Sequence, residues 1–203
     1  MKPKDVGKSY DLIADRWASG DFSMENGIAQ HRRAIAFASG RGKALDIGCG
    51  SSGRLLELMI ESGFDPEGLD ISQRMLELAK QRHPAVTFHQ ADICEWQFPK
   101  QYDFISAWDS IWHIPLQLQE RVMSKVLAGL SPGGVIIFTT GGVDEPSETN
   151  DSAMGPPMYH SAPGIPKIME ILAEAGCVCR HLEYDQHPDL HVFVIAQRPV
   201  KNP

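Results

Sequence analysis

Residues 44 to 54 read ALDIGCGSSGR, which sets a carboxylate, Asp46, two positions before a run of three spaced glycines. Gly48, Gly50 and Gly53 fit the spacing GxGxxG. Between a strand and a helix, residues without Cβ atoms let backbone amides approach a bound group closely. Asp70 follows Gly48 by 22 residues, at the end of a second apolar run, where a carboxylate accepts from both hydroxyls of a ribose. The pair predicts a ligand that contains a nucleoside. The bland alternative is that the glycines make a tight turn and Asp70 caps the helix that starts near Ser72. Asp46 narrows the ligand further. A buried carboxylate there would repel a pyrophosphate, whereas it would pair, directly or through water, with the ammonium of an amino-acid moiety. Its own bland alternative is bonding to the loop amides alone. The ligand these residues favour joins adenosine to a zwitterion.

The elements that must hold this loop alternate in hydrophobic period. Tyr10, Ile13, Ala14 and Trp17 recur at helical spacing over residues 9 to 19, and a second helix is expected from Met24 to Ala38. KALDIG reads as a strand, Arg54 to Glu61 as a helix, FDPEGLD as a second strand, and Ser72 as the N-cap of a helix through Ala79. The strands AVTFH and YDFISAW follow, then a helix from about Pro115, the turn Ser131-Pro132-Gly133-Gly134, and the strand VIIFTT. Residues 141 to 163 are rich in Gly, Pro, Ser and Asp and read as a long loop of the substrate-binding kind. A helix near Pro166 to Ala175 and two strands, VCRHLEY and LHVFVIAQ, close the chain as an antiparallel hairpin. The βαβα order predicts a parallel sheet covered by helices on both faces, with ligands at the strand C-termini.

A chain of 203 residues suits a single domain, and a formal charge of −7 disfavours attraction to a phosphate backbone, so a small-molecule partner is expected and nucleic acid is not. No apolar run is long enough to predict a membrane span, and the N-terminus lacks a signal-peptide pattern. The four cysteines, Cys49, Cys94, Cys177 and Cys179, form no CxxC pair, which fits reduced thiols in the cytoplasm. Cys177, Cys179 and His181 could share a strand face, but no fourth ligand is evident, and no metal is expected. His187 and His191 are read as surface or strand residues.

Five blocks resemble, in order, the motifs of the class I S-adenosylmethionine-dependent methyltransferases of small-molecule type: ALDIGCGSSGR, GLDIS, HQADICEW, YDFISAWDSIWHIP and LSPGGVIIFTT. The resemblance covers most of residues 40 to 142. It implies a three-layer α/β/α sandwich, a Rossmann-like seven-stranded and mostly parallel sheet with an antiparallel last strand. One methyltransferase domain over 1–203 is expected: lid helices over 1–39, a cofactor core over 40–142, a loop over 143–163, and a helix with a strand hairpin over 164–203. The implied cofactor is S-adenosylmethionine, with S-adenosylhomocysteine as product and a small-molecule methyl acceptor. By the same resemblance Gly48, Cys49 and Gly50 line the methionine moiety beside Asp46, and Asp70 holds the ribose. Ile71 and Ile93 flank adenine, Asp92 accepts from its amino group, and Trp108, Tyr10 and Trp17 complete the cofactor site. His113 is the candidate general base, weighed against a pocket-lining role. Trp112, Tyr159 and His160 are candidates for substrate contact. The Ser51-Ser52 pair departs from the family pattern, which commonly has one residue before the next glycine. Two other readings share the glycine loop: an NAD-dependent oxidoreductase, disfavoured by Asp46 and by the lack of a Tyr-x-x-x-Lys pair, and a binding module without turnover.

Overall fold

A computed structural model describes residues 1–19 and 23–200. Five β-strands run parallel through the glycine-loop region: β1 (Lys43–Ile47), β2 (Asp65–Asp70), β3 (Thr87–Gln90), β4 (Tyr102–Ala107) and β5 (Leu130–Gly141). Two more, β8 (Val178–Tyr184) and β9 (His191–Gln197), complete one sheet in the order β3-β2-β1-β4-β5-β9-β8. The last strand, β9, is antiparallel to both neighbours, as the resemblance implies.

The sheet is buried on both faces because β5 and β9 alternate between two cores. Ile136, Phe138, Val192 and Val194 face one core with helices α5 (Gln119–Ala128) and α6 (Ile165–Glu174). Val135, Ile137, Phe193 and Ile195 face the other with α2 (Ile28–Ile35) and α3 (Arg54–Glu61). Each such aliphatic or aromatic side chain, fully buried, contributes about 1.5–3 kcal/mol. Helix α4 (Gln73–Arg82) is capped as expected, with the Ser72 hydroxyl accepting from Met75 N at 3.1 Å.

Several expectations need correction. Helix α1 spans Pro3–Ala18, starting well before residue 9, because Pro3 occupies the first helical position, where its missing N–H costs nothing. Helix α2 is confined to Ile28–Ile35: Gly27 enters it at a φ of +82° against the Trp108 ring, and Arg41 caps the far end by donating to Ile35 O and Ala38 O. After Pro115, a 3-10 turn at Leu116–Leu118 precedes α5. The stretch expected to be a long loop contains an antiparallel pair, β6 (Ser147–Asp151) and β7 (Met158–Ala162). Only β7 is buried, so β6 carries no apolar alternation and reads as loop in the sequence.

Candidate functional site

Strand order reverses between β1 and β4, so the loops leaving their C-terminal ends part and open a crevice there. That crevice is a cavity of about 780 Å³, within the range of small-molecule sites. The three glycines shape its floor for different reasons. A Cβ on Gly48 (φ +70°) would lie 2.3 Å from Ser110 Cβ, so the β1 and β4 loops pack directly on each other there. A Cβ on Gly53 (φ +72°) would lie 2.0 Å from the His83 ring. Gly50 (φ +58°) has nothing within 4 Å of its missing Cβ, and its backbone faces the open cavity. At the departure from the family pattern, Ser52 accepts from Arg54 Nη1 at 2.9 Å, while the buried Ser51 hydroxyl has no partner among the described residues.

Asp70 makes the backbone bonds of the bland alternative and also lines the cavity. Its Oδ2 accepts from Gly50 N at 2.9 Å and its Oδ1 from Ser72 N at 2.8 Å, so it ties the glycine loop to the start of α4 while lining the cavity. Burial raises its pKa despite those amide bonds. Asp92 likewise orders its own loop, accepting from Cys94 N at 2.9 Å beside Ile93 on the wall. Ile71 and Cys49 are wall residues too, and burial pushes the Cys49 thiol well up.

Asp46 is not bonded to the loop amides. Its carboxyl, raised by burial to a pKa of about 7, meets the Ser106 hydroxyl, whose Oγ is also 3.0 Å from His31 Nε2. Proton counting then fixes the states. His31 Nδ1 lies 2.7 Å from Gly27 O, which can only accept, so Nδ1 carries the hydrogen and Nε2 takes the single Ser106 proton. With His31 neutral, Ser106 has none left to give, and its contact with Asp46 is then made by the neutral carboxylic acid. Burial lowers His31 to about 4, in keeping with its neutral form.

Arg54 is a wall residue that the sequence reading missed. Its Nε donates to Asn26 O at 2.8 Å; burial pulls its pKa down while Asp46 and Asp109 oppose that. The available signal was a cation at the first position of a helix, where the macrodipole disfavours it.

The cavity's other end holds Trp108, Asp109, Trp112, His113, His160 and His191. His113 Nδ1 lies 2.7 Å from Tyr159 O and so carries the hydrogen; Nε2 then accepts from both Tyr10 Oη at 2.8 Å and Trp112 Nε1 at 3.2 Å. Burial lowers its pKa to about 4. With both ring nitrogens engaged, His113 is a neutral pin joining α1, the β4 loop and β7, which supports the pocket-lining role over the base. Tyr10 and Trp17 also line the cavity, their rings 6.5 Å apart. Trp112 stands 6.1 Å from the His160 ring, and His160 Nδ1 is 3.3 Å from Asp151.

Tyr159 is a correction. It is buried away from the cavity, its hydroxyl donating to Glu148 at 2.7 Å and accepting from Leu116 N at 2.9 Å, so it braces β7. His191, read in the sequence as a surface or strand residue, is the first residue of β9, and its buried ring lies on the cavity wall between Asp185 at 2.5 Å and Asp109 at 3.0 Å, a site position the sequence did not assign to it. His181 turns to Arg33 and Glu183 instead of to the cysteines. Among the described residues no group of three His, Cys, Asp or Glu could hold a metal, and no helix is long and apolar enough to cross a membrane.

Comparison with known proteins agrees with this architecture. The family model described as a methyltransferase domain matches residues 44–134. A trans-aconitate 2-methyltransferase of Rhizobium leguminosarum bv. trifolii is 38% identical over 96 residues, 46% of this chain and 36% of that protein. The chain aligns with about a third to a half of the length of the curated relatives it matches first. Among solved structures, a DhpI-SAM-HEP complex superposes with a TM-score of 0.72 at 19% identity, covering 97% of each chain. CalS10, an amino pentose methyltransferase from Micromonospora echinaspora solved with SAM bound, superposes with a TM-score of 0.69 at 17% identity, covering 92% of this chain and 96% of that one. The segment from 44 to 134 matches a methyltransferase domain, and the chain shares the fold of S-adenosylmethionine-dependent methyltransferases.

Proposed function

We propose that the protein transfers the methyl group of S-adenosylmethionine to a small-molecule nucleophile, with S-adenosylhomocysteine as product. The observation that carries this reading is one cavity in which the open backbone of Gly50, the unpartnered Ser51 hydroxyl, three carboxyls and Arg54 meet. Those donors and acceptors fit adenosine joined to a zwitterion. Asp70 would hold the ribose hydroxyls, Asp92 the adenine amino group between Ile71 and Ile93, Asp46 the ammonium, and Arg54 the carboxylate.

When bound, the cofactor supplies a methyl group already activated on a sulfonium. The protein's part is then positioning and exclusion of water. Tyr10, pinned to His113, and Trp17 would close α1 over the cavity, while Trp108 and Trp112 wall it from the strand side. His113 holds that wall and moves no proton. The nucleophile supplies its own lone pair, and any base is needed only for an acceptor protonated at working pH. The single-domain reading is supported by β8, β9 and α6 packing on the same sheet and core as the cofactor loop. Buried Cys49, Cys94 and Cys177 support a reducing, cytoplasmic setting.

Thermal-shift titration tests the proposal, because a ligand of the folded state raises the melting temperature. S-adenosylmethionine and S-adenosylhomocysteine should both stabilise the protein and NADH should not. Stabilisation by NADH alone would overturn the reading.

A further inference from the structure

Among the described residues on the cavity wall five are Asp (46, 70, 92, 109 and 151), and one, Arg54, is Lys or Arg. Arg54 lies at the glycine-loop end, with Nε on Asn26 O and Nη1 on Ser52. The acceptor end therefore offers no free guanidinium or ammonium to a carboxylate or phosphate. Against Asp109 it sets the buried imidazole of His191. Burial lowers the His191 pKa, and the hydrogen bonds that its ring makes to the Asp109 and Asp185 carboxylates more than reverse that, leaving it raised. Both of its nitrogens are spent on those carboxylates, so it has no donor left for a ligand.

What His191 does is fix Asp109. That residue sits in the left-handed region at a φ of +50°, uncommon for a side chain with Cβ, and is held at its amide and at both carboxylate oxygens. Its amide donates to Thr139 Oγ1 at 2.8 Å, its Oδ1 takes His191 Nε2 at 3.0 Å, and its Oδ2 takes Asn26 Nδ2 at 3.2 Å. Asp185 is braced from behind by Gln30 Nε2 at 2.9 Å. A carboxylate oxygen accepts more than one hydrogen bond, so Asp109, one-third exposed on the wall, retains acceptor capacity toward the cavity. Trp112 stands beside it, its ring 5.5 Å from that of His191. An immobilised carboxylate next to an indole, its one imidazole partner His191 buried behind it and a second carboxylate at Asp151 nearby, is the chemistry that receives an amine.

We propose that the methyl acceptor is an amine whose nitrogen is received by Asp109, with His191 and Asp185 as positioning residues. The inference rests on the methyl-transfer reading above. The nitrogen lone pair forms the new N–C bond while the S–C bond breaks and its electron pair stays on sulfur. The positive charge thereby passes from sulfur to nitrogen beside Asp109. An amine that arrives as ammonium first gives its extra proton to water.

The test is a thermal-shift series on the full chain with saturating S-adenosylhomocysteine. Phenethylamine, putrescine and glucosamine are compared at equal concentration with phenol and trans-aconitate, and transfer from S-adenosylmethionine is read in parallel. At least one amine should add stabilisation and be methylated, and trans-aconitate should do neither. Asp109→Asn should weaken amine binding roughly ten-fold or more, the loss of one charged hydrogen-bond acceptor, with S-adenosylhomocysteine still bound. His191→Gln should weaken it less. If no amine stabilises the liganded protein, or if trans-aconitate or phenol does so more strongly, the inference fails. If Asp109→Asn does not fold, the ranking on the unaltered chain decides alone. Failure of S-adenosylhomocysteine itself to stabilise the protein would instead sink the methyl-transfer reading, so the two failures are distinguishable.

Discussion

Asp46→Asn should stabilise the empty protein at alkaline pH while crippling cofactor binding. Asp46 is buried, and burial moves its pKa from 3.8 to about 7. Its folded-state pKa lies above the unfolded one, so the stability linked to it is fully present below pH 3.8 and is lost as pH rises to about 7. One pKa unit is about 1.4 kcal/mol, which makes the loss roughly 4 kcal/mol at most. Asn keeps an N–H to donate to Ser106, so the Ser106–His31–Gly27 chain survives the change. The stability difference, variant minus parent, should therefore be near zero at pH 4, grow through pH 6, and level off above pH 7 at a few kcal/mol by the same arithmetic. Urea unfolding across that pH range reads it. The ligand gives a second arm. If an ammonium pairs with Asp46, binding must ionise it, and calorimetry in buffers of different ionisation enthalpy should find close to one proton released at about pH 6 and almost none at about pH 8.5. A stability gap that does not grow with pH, or binding without proton release at pH 6, refutes the proton count along Asp46, Ser106 and His31.

Gly48→Ala and Gly50→Ala should separate structure from binding. The first drives a Cβ to 2.3 Å from Ser110 and should cost several kcal/mol in urea unfolding. The second adds only backbone strain, about 1–2 kcal/mol, yet should abolish the thermal shift with S-adenosylhomocysteine. Asp70→Ala strands the buried amide of Ser72 and frees that of Gly50, so it should lose about 1–3 kcal/mol for the Ser72 amide together with cofactor affinity. His191 has a raised pKa, so the stability it contributes is present below its ordinary range and lost as pH rises through the raised value. The gap between parent and His191→Gln should therefore shrink at high pH. Asp109 and Asp185 are the charged groups that face His191, with Trp108 and Trp112 as ring neighbours. Helix α1 should exchange its amide hydrogens faster than β1, β4 and β5, because its apolar anchor is the small cluster of Val6, Ile13, Met158 and Tyr159.

What the sequence disclosed and what it hid follow from the range over which each interaction acts. Strand β1, the glycine turn and α3 are local: an apolar run, residues without Cβ, and a 3.6-residue stripe sit within one stretch of chain, and the structure places them there. Ser72 as N-cap is equally local. His191 was placed on a strand but not in the site, because nothing within β9 distinguishes a buried histidine from an exposed one; its partners, Asp109 and Asp185, come from the β4 loop and the β8–β9 turn. Tyr159 was misread for a related reason. A tyrosine in a polar stretch looks available to a ligand until Glu148 and Leu116 are folded against its hydroxyl. The β6–β7 pair escaped notice because β6 is exposed along its whole length, and a strand without a buried face leaves no period of two to read.

The polar groups around the cavity have one feature in common, which is that distant chain segments decide their protonation. His31, on α2, takes the only hydroxyl proton of Ser106 and thereby obliges Asp46, on β1, to keep its own. Tyr159 O, on β7, claims the His113 hydrogen and leaves its other nitrogen as an acceptor for Tyr10, on α1. Asp185, from the turn before β9, raises the pKa of His191, which in turn holds Asp109. A ligand entering such a site meets groups whose charges are set in advance, so little reorganisation is left for the moment of reaction. The exception is Asp46, whose neutral form suits the empty cavity and whose ionised form suits an ammonium. It is therefore the group through which occupancy of the site is coupled to pH.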